Sequence, residues 1–173
     1  MQTNTLPRYD ASDNTTGCCP RFNPDGWDDR ELHFEGKPFV KVTTQSIDHV
    51  PVDMGPVVER TFAAIEAAGA HDDSDFIVLS RDLSPTEAEH YFSVTKPVPG
   101  QEMVRWSGDY RTRVLEGPYE SVPKWEKGLI DDLQSSGQPP NKIYYFYTTC
   151  PKCARVYGKN YLVAVAELAT EMP

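Results

Sequence analysis

The 173-residue chain lacks any apolar run near the roughly 20 residues that span a bilayer. Its first residues also lack the basic stretch followed by an apolar one that marks a secretory leader. Both absences lead to the expectation of a cytoplasmic protein with no membrane partner. Positive charge is scarce: 17 Lys and Arg stand against 26 Asp and Glu, a formal net charge of −9, and no Lys/Arg cluster makes a local exception. Such a chain repels phosphate backbones, which argues against nucleic acid as a direct partner. There is no serine nucleophile elbow and no recognisable Cys–His pairing, which weakens the case for ordinary acyl-enzyme chemistry. Cysteine is the last scarcity. Four are present, Cys18 and Cys19 side by side and Cys150 and Cys153 in a C-x-x-C. A chain of this length buries a core without covalent staples. In a reducing compartment its cysteines therefore point to metal or redox chemistry rather than to structural disulfides.

Residues 1–17 are polar and rich in turn formers ("YDASDNTTG") and are expected to form a disordered tail ahead of a single domain, 18–173. The first part of that domain, 18–38, carries three prolines, two glycines and Phe22, Trp27 and Phe34, and reads as an ordered but irregular arm. The β-branched segment 39–50 ("FVKVTTQSIDHV") reads as a strand. Helical spacing of Val58, Phe62 and Ile65, with Pro56 in the first turn and Gly69 at the end, predicts a helix over 55–70. Next come a short apolar run ("DFIVLS"), the strand "EHYFSVTKPV", and "QEMVRWSGDYRTRVLEGPY", read as two strands broken at Ser107-Gly108-Asp109. A second amphipathic helix is predicted over 121–137, with Trp125, Leu129, Ile130 and Leu133 on one stripe and Gly137 as its stop. "NKIYYFYTTC" and "NYLVAVAEL" close the chain as strands, joined by "CARVYGK", a connection too short for a full helix.

The two helical regions align at one constant offset. Pro51 falls on Pro118, Asp53 on Glu120, Pro56 on Pro123, Glu59 on Glu126 and Phe62 on Leu129. Each copy is a strand, a proline-led turn, a helix and two strands, the signature of an internal duplication. The expected fold is α+β: duplicated strand-helix-strand-strand units forming one antiparallel sheet, with both helices on one face and a ligand groove on the other. Alternation along the strands puts His90, Phe92 and Val94 on one side of theirs, and sets Ile143, Tyr145 and Tyr147 opposite Tyr144 and Phe146. One aromatic set packs under the helices and the other lines the groove.

The run "PVPGQEMVRWSGDYRTRVLEGPYESVPKW", with its Gly117-Pro118-Tyr119 turn, resembles the gyrase-inhibitor-like small-molecule-binding domain, which also serves as the effector domain of multidrug-responsive regulators. The flanking "GCCPRFNP" and "YYFYTTCPKCARVYGKNY" resemble a stand-alone bacterial subfamily commonly labelled hydrolase. The resemblance covers residues 18–168. It implies a cleft for flat, often cationic or aromatic ligands, and in some members hydrolysis of strained electrophilic compounds. The chain departs from the regulators in two ways. It has no helix-turn-helix, and tyrosines stand in "KIYYFY" where the regulators typically present a buried glutamate.

Glu116, just before the Gly-Pro turn, is the candidate general base or acid: desolvation beside apolar rings would suit it to that work. The plainer reading is a solvated carboxylate at a strand end. Tyr145 is the second catalytic candidate, because a phenol inside a pocket can hold a developing oxyanion. Phe92, Trp106, Tyr119 and Tyr147 are the candidate ligand contacts; Trp106 could stack on a planar ligand, and Tyr119, with Trp125, equally anchors the second helix. His49 and His90 match no ligand motif and read as surface or satisfied core residues. The C-x-x-C would suit a redox pair only at a helix start, so redox is the weakest reading of it. Cys18, Cys19, Cys150 and Cys153 could together hold a structural zinc, and buried thiols docking the arm are the rival reading. No other cofactor is expected. The function expected is small-molecule binding with hydrolysis of an electrophilic or toxic compound. The alternative is a non-catalytic module that sequesters a ligand or binds a protein partner.

Overall fold

The alternation read as a strand over 39–50 starts earlier in the computed structural model, where β1 runs from Glu31 to Ile47. The structure describes residues 3–9, 12–17, 19–72, 74–149 and 151–169, apart from the side chains of Tyr119 and Pro151. The first half of β1 escapes a period-two reading because its phase changes. Leu32 and Phe34 enter the core at even positions and Phe39 at an odd one, and the register shift between Phe34 and Lys37, with Gly36 at φ +64°, absorbs the switch. The remaining elements are β2 (Val50–Pro51), α1 (Met54–Ala67), β3 (Val78–Ser84), β4 (Glu87–Ser93), β5 (Glu102–Glu116), α2 (Val122–Ser135), β6 (Pro140–Tyr147), α3 (Pro151–Tyr157) and β7 (Tyr161–Leu168).

Two sequence expectations are corrected here. The break at Ser107-Gly108-Asp109 is a bend inside one strand: Gly108, at φ +131°, lies opposite Phe34 at the β1 irregularity, so the two paired strands curve together. The connector after β6 does fit a helix, the seven residues of α3, and the C-x-x-C therefore stands at a helix start after all.

The strands form one antiparallel sheet in the order β2-β1-β4-β3-β6-β7-β5, and β1 pairs with β5 as well, so the sheet curls back on itself. Exchanging β1 with β5, β4 with β7 and β3 with β6 maps the order β1-β4-β3-β6-β7-β5 onto its reverse, as a duplicated strand-helix-strand-strand unit requires. Ser80 shows that the helices share a face, because it is the direct partner of both His90 and Tyr145. On that face α1 packs Phe62 and Ile65 over Val40, Phe92 and Val94, and α2 packs Leu129 and Leu133 over Leu115, Ile143, Tyr145 and Leu162. Sealed side chains such as Ile65 and Leu129 contribute about 1.5–3 kcal/mol each.

The opposite face carries the aromatic set expected of a groove, but the arm lies in it. Leu6, Phe22 and Trp27 are buried against Phe39, Leu79, Trp106, Phe146 and Val163. The backbone follows. Asn4 N–H donates to His33 O (2.8 Å), Tyr9 N–H to Ser74 O (3.0 Å), and the Trp27 indole to Arg8 O (3.1 Å). Residues 3–9, expected within a disordered tail, are thus ordered by a partner surface far along the chain, and composition carries no trace of it. No helix among the described residues is long and apolar enough to cross a membrane.

His90 is buried under the helices, 2.8 Å from Thr44 Oγ1 and 2.7 Å from Ser80 Oγ. Burial lowers its pKa, and the nearby Asp82, Asp53 and Glu89 only partly oppose this. Below the ordinary histidine value of about 6.5 the unfolded chain takes up a proton that native His90 refuses, so stability is lost as pH falls through that value. Chemical denaturation between pH 7 and pH 5 should show a loss of at most about 1.4 kcal/mol per pH unit from this group. The slope should be shallower in His90→Gln, and an unchanged slope would remove His90 as its source.

Candidate functional site

Glu116 ends β5 opposite Tyr161 of β7. The chain then turns through Gly117 at φ +143°, where a Cβ would lie 2.9 Å from the Trp125 ring, so both backbone conformation and space demand glycine. Asn160 clamps this turn from the far side: Gly117 N–H donates to Asn160 O (3.1 Å), and Asn160 Nδ2 donates to Gly117 O (2.8 Å). Asn160 Oδ1 is buried and has no hydrogen-bond partner among the described residues. The β5 end, the turn and α3 enclose a surface cleft of about 450 Å³ lined by Glu116, Pro118, Glu120, Arg155, Lys159 and Asn160. Lys159 Nζ stands 3.8 Å from Glu116 Oε1, and the Glu116 side chain is 53% exposed. Two carboxylates face two cations across the cleft, a mixed field suited to a polar ligand.

The structure separates the other candidates from Glu116. Tyr145 lies on the helix face under α2, whereas Glu116 has the strand phase of Val114, which packs on the arm side. Burial, followed by the Glu126 carboxylate, raises the Tyr145 pKa, so the phenol stays protonated. Tyr147, its ring centre 6.2 Å from that of Tyr145, is about half exposed. Phe92 is sealed beneath α1. Trp106 is enclosed by the rings of Phe39 (4.9 Å), Tyr91 (5.0 Å), Tyr110 (5.4 Å) and Tyr144 (4.7 Å). The side chain of Tyr119 lies outside the described residues, and its backbone opens the 3-10 turn that leads into α2.

Sequence reasoning passed over Lys159, Asn160 and Arg155, whose only signal was the polar "RVYGKNY" between two apolar strands. It also missed Glu89. This carboxylate is buried on β4 near Tyr91, 3.9 Å from Lys41 Nζ and 3.6 Å from Arg81 Nη1. The chain therefore holds a buried glutamate beside its tyrosines, and two cations compensate its charge. Burial is the main cause that pushes the neighbouring Tyr144 up to about 12, with Glu167 and Glu89 adding to it.

Of the four cysteines, Cys18 and Cys150 lie outside the described residues. The Cys19 backbone and the Cys153 thiol both contact Thr16 where the arm docks on α3. Buried Cys153 places its Sγ 3.3 Å from Thr16 Oγ1, and the Tyr157 hydroxyl donates to Cys19 O (2.6 Å). Among the described residues no three His, Cys, Asp or Glu converge as a ligand set.

Comparison with known proteins decides the family. A family model described as "Bacterial hydrolase" matches residues 9–168. The chain belongs to this bacterial hydrolase family. The match takes in the arm as well as both repeats. Among solved structures, an uncharacterized conserved protein from Listeria innocua is similar in fold, with a TM-score of 0.58 at 9% identity, covering 83% of this chain and 93% of that one. A structure described as SAV2435 bound to tetraphenylphosphonium gives a TM-score of 0.48 at 9% identity, covering 82% of this chain and 94% of that one. None of the curated proteins matches the chain significantly.

Proposed function

We propose that this member of the family binds a small electrophilic compound in the cleft at Glu116 and hydrolyses it. The observation that carries the reading is the meeting of Glu116, Lys159, Arg155 and Asn160 around one cleft of about 450 Å³. Glu116 accepts a proton from water as the water oxygen bonds to the electrophilic carbon, the bond from that carbon to the leaving group breaks, and the leaving group takes the proton back from Glu116. Lys159 and Arg155, on the same cleft, would offset negative charge developing on the departing or carbonyl oxygen. Substitution of Glu116 by glutamine tests this reading against turnover of strained or activated electrophiles. A second reading, a non-catalytic binder of the same class of compound, draws on the 53% exposure of Glu116, which leaves it without the dry surroundings that strengthen a base.

A structural zinc is the companion proposal, supported by Thr16, which contacts the Cys19 backbone and the Cys153 thiol from opposite ends of the chain. Four thiolates would leave the metal no open position, so its part would be to hold the arm rather than to activate water. Elemental analysis of protein purified without chelator should give close to one zinc per chain, lost together with thermal stability in Cys153→Ser. Metal-free protein of full stability would leave the buried-thiol reading in its place.

A further inference from the structure

Lys159 faces two cavities. Beyond the cleft at Glu116 it lines a second one of about 240 Å³, whose walls are Arg21, Phe22, Thr148, Thr149, Tyr157 and Tyr161. Its two cations come from opposite ends of the sequence and are each set on a ring. The Arg21 guanidinium lies 4.5 Å above the centre of Tyr157, and Lys159 Nζ lies 6.0 Å from the centre of Tyr161. Tyr157 is held through its hydroxyl, which donates to Cys19 O (2.6 Å), and the Thr148 hydroxyl fixes the strand that carries Tyr161 by donating to its backbone carbonyl (2.7 Å). Among the described residues both cations keep donors to spare: Arg21 meets Asp13 Oδ2 through Nε (3.1 Å), and Glu116 is 3.8 Å from Lys159. In a chain of net charge −9, two cations converging on one aromatic-walled chamber make a local site for an anion.

We propose that this pocket binds a planar carboxylate, an aromatic or unsaturated acid, between Arg21 and Lys159. The guanidinium fork matches a carboxylate in shape as well as charge, and Phe22, Tyr157 and Tyr161 supply apolar walls that a bare inorganic anion would leave unused. The chamber and the cleft share Lys159 as a lining residue. Resting on the reading of that cleft as a hydrolytic site, the substrate class follows: a hydrolysable compound with a free carboxylate, anchored by its acid end and presenting its electrophilic carbon toward Glu116.

The test uses the full chain and benzoate as the probe, with benzamide as the uncharged compound of the same shape. Titration followed by amide NMR should show benzoate shifting the signals of residues 21, 148, 157 and 159, with benzamide about tenfold weaker. Arg21→Gln and Lys159→Gln should each weaken benzoate about tenfold while leaving benzamide unchanged. Arg21→Lys, which keeps a cation over Tyr157, decides the matter where Arg21→Gln does not fold; it should bind benzoate more weakly than the parent but more tightly than it binds benzamide. Glu116→Gln should bind benzoate as well as the parent or better, because a competing carboxylate is gone. Equal binding of benzoate and benzamide, no benzoate binding at millimolar concentration, or parental affinity in folded Lys159→Gln would overturn the proposal. Benzoate binding in a protein that hydrolyses nothing upholds the pocket and removes the hydrolytic reading. Hydrolysis dependent on Glu116 without benzoate binding does the reverse.

Discussion

Trp27→Ala should lower the melting temperature by about 6–20 °C. The indole is fully buried in the face of the sheet opposite the helices, packed on Phe22 at 5.7 Å and Phe146 at 5.7 Å. Truncating a buried tryptophan costs about 3–5 kcal/mol, from lost transfer free energy and from the cavity left behind. In a domain of this size each kcal/mol shifts the midpoint by about 2–4 °C. One further contact goes with the ring, since its N–H donates to Arg8 O. Trp27→Phe should lose much less, because most of the apolar contact stays and one hydrogen bond of about 1 kcal/mol is removed. Differential scanning calorimetry of the two variants checks both values. A drop of only a degree or two in Trp27→Ala would mean that the arm rests on the domain without forming part of its core.

Glu116→Gln should reduce turnover of the responsive electrophile by 10²- to 10⁴-fold, the usual range for removing a positioned base. Shape and hydrogen-bonding reach are kept, so binding should change little and the loss should fall on kcat. Stability should hardly move. Glu116 is half exposed, and its contact with Lys159 is an exposed pair at the long end of ion-pair distance, of the kind that contributes little. A fall in kcat at constant melting temperature therefore separates lost chemistry from lost packing. Parental turnover in this variant would return Glu116 to the role of a solvated strand-end carboxylate and leave the cleft as a binding site.

Periodicity and punctuation carried most of the fold. Helical spacing at Val58, Phe62 and Ile65, and again at Leu129 and Leu133, marked both helices to within a few residues, because those side chains face one sheet and the apolar stripe is what that contact requires. The matched prolines, Pro51 and Pro118, revealed the duplication. Period-two reading failed at the start of β1 and at Gly108, where paired irregularities let two long strands bend together. A residue that is a break in isolation becomes a bend when its partner strand bends with it.

The site was legible only in part. Glu116, Gly117 and Pro118 stood out because a carboxylate before a Gly-Pro turn is a local pattern, and the structure places them together on a cleft. Pairing Glu116 with Tyr145 required knowing which face each residue occupies, and the two belong to opposite faces. Lys159, Asn160 and Arg21 carried little local signal, because their partners at the site, Glu116, Gly117 and Tyr157 respectively, lie more than 40 residues away in sequence.

By itself the sequence determined the α+β class, the internal repeat and the shared face of the two helices, all of which follow from side-chain periods that local geometry imposes. Only the tertiary structure decided what fills the second face. The ends of the chain meet there: Trp27 is sealed on the sheet, and Cys19 reaches the α3 helix of Cys153 through Tyr157. Contacts of that range depend on where closure of the whole sheet places each surface, and no window of residues encodes that position.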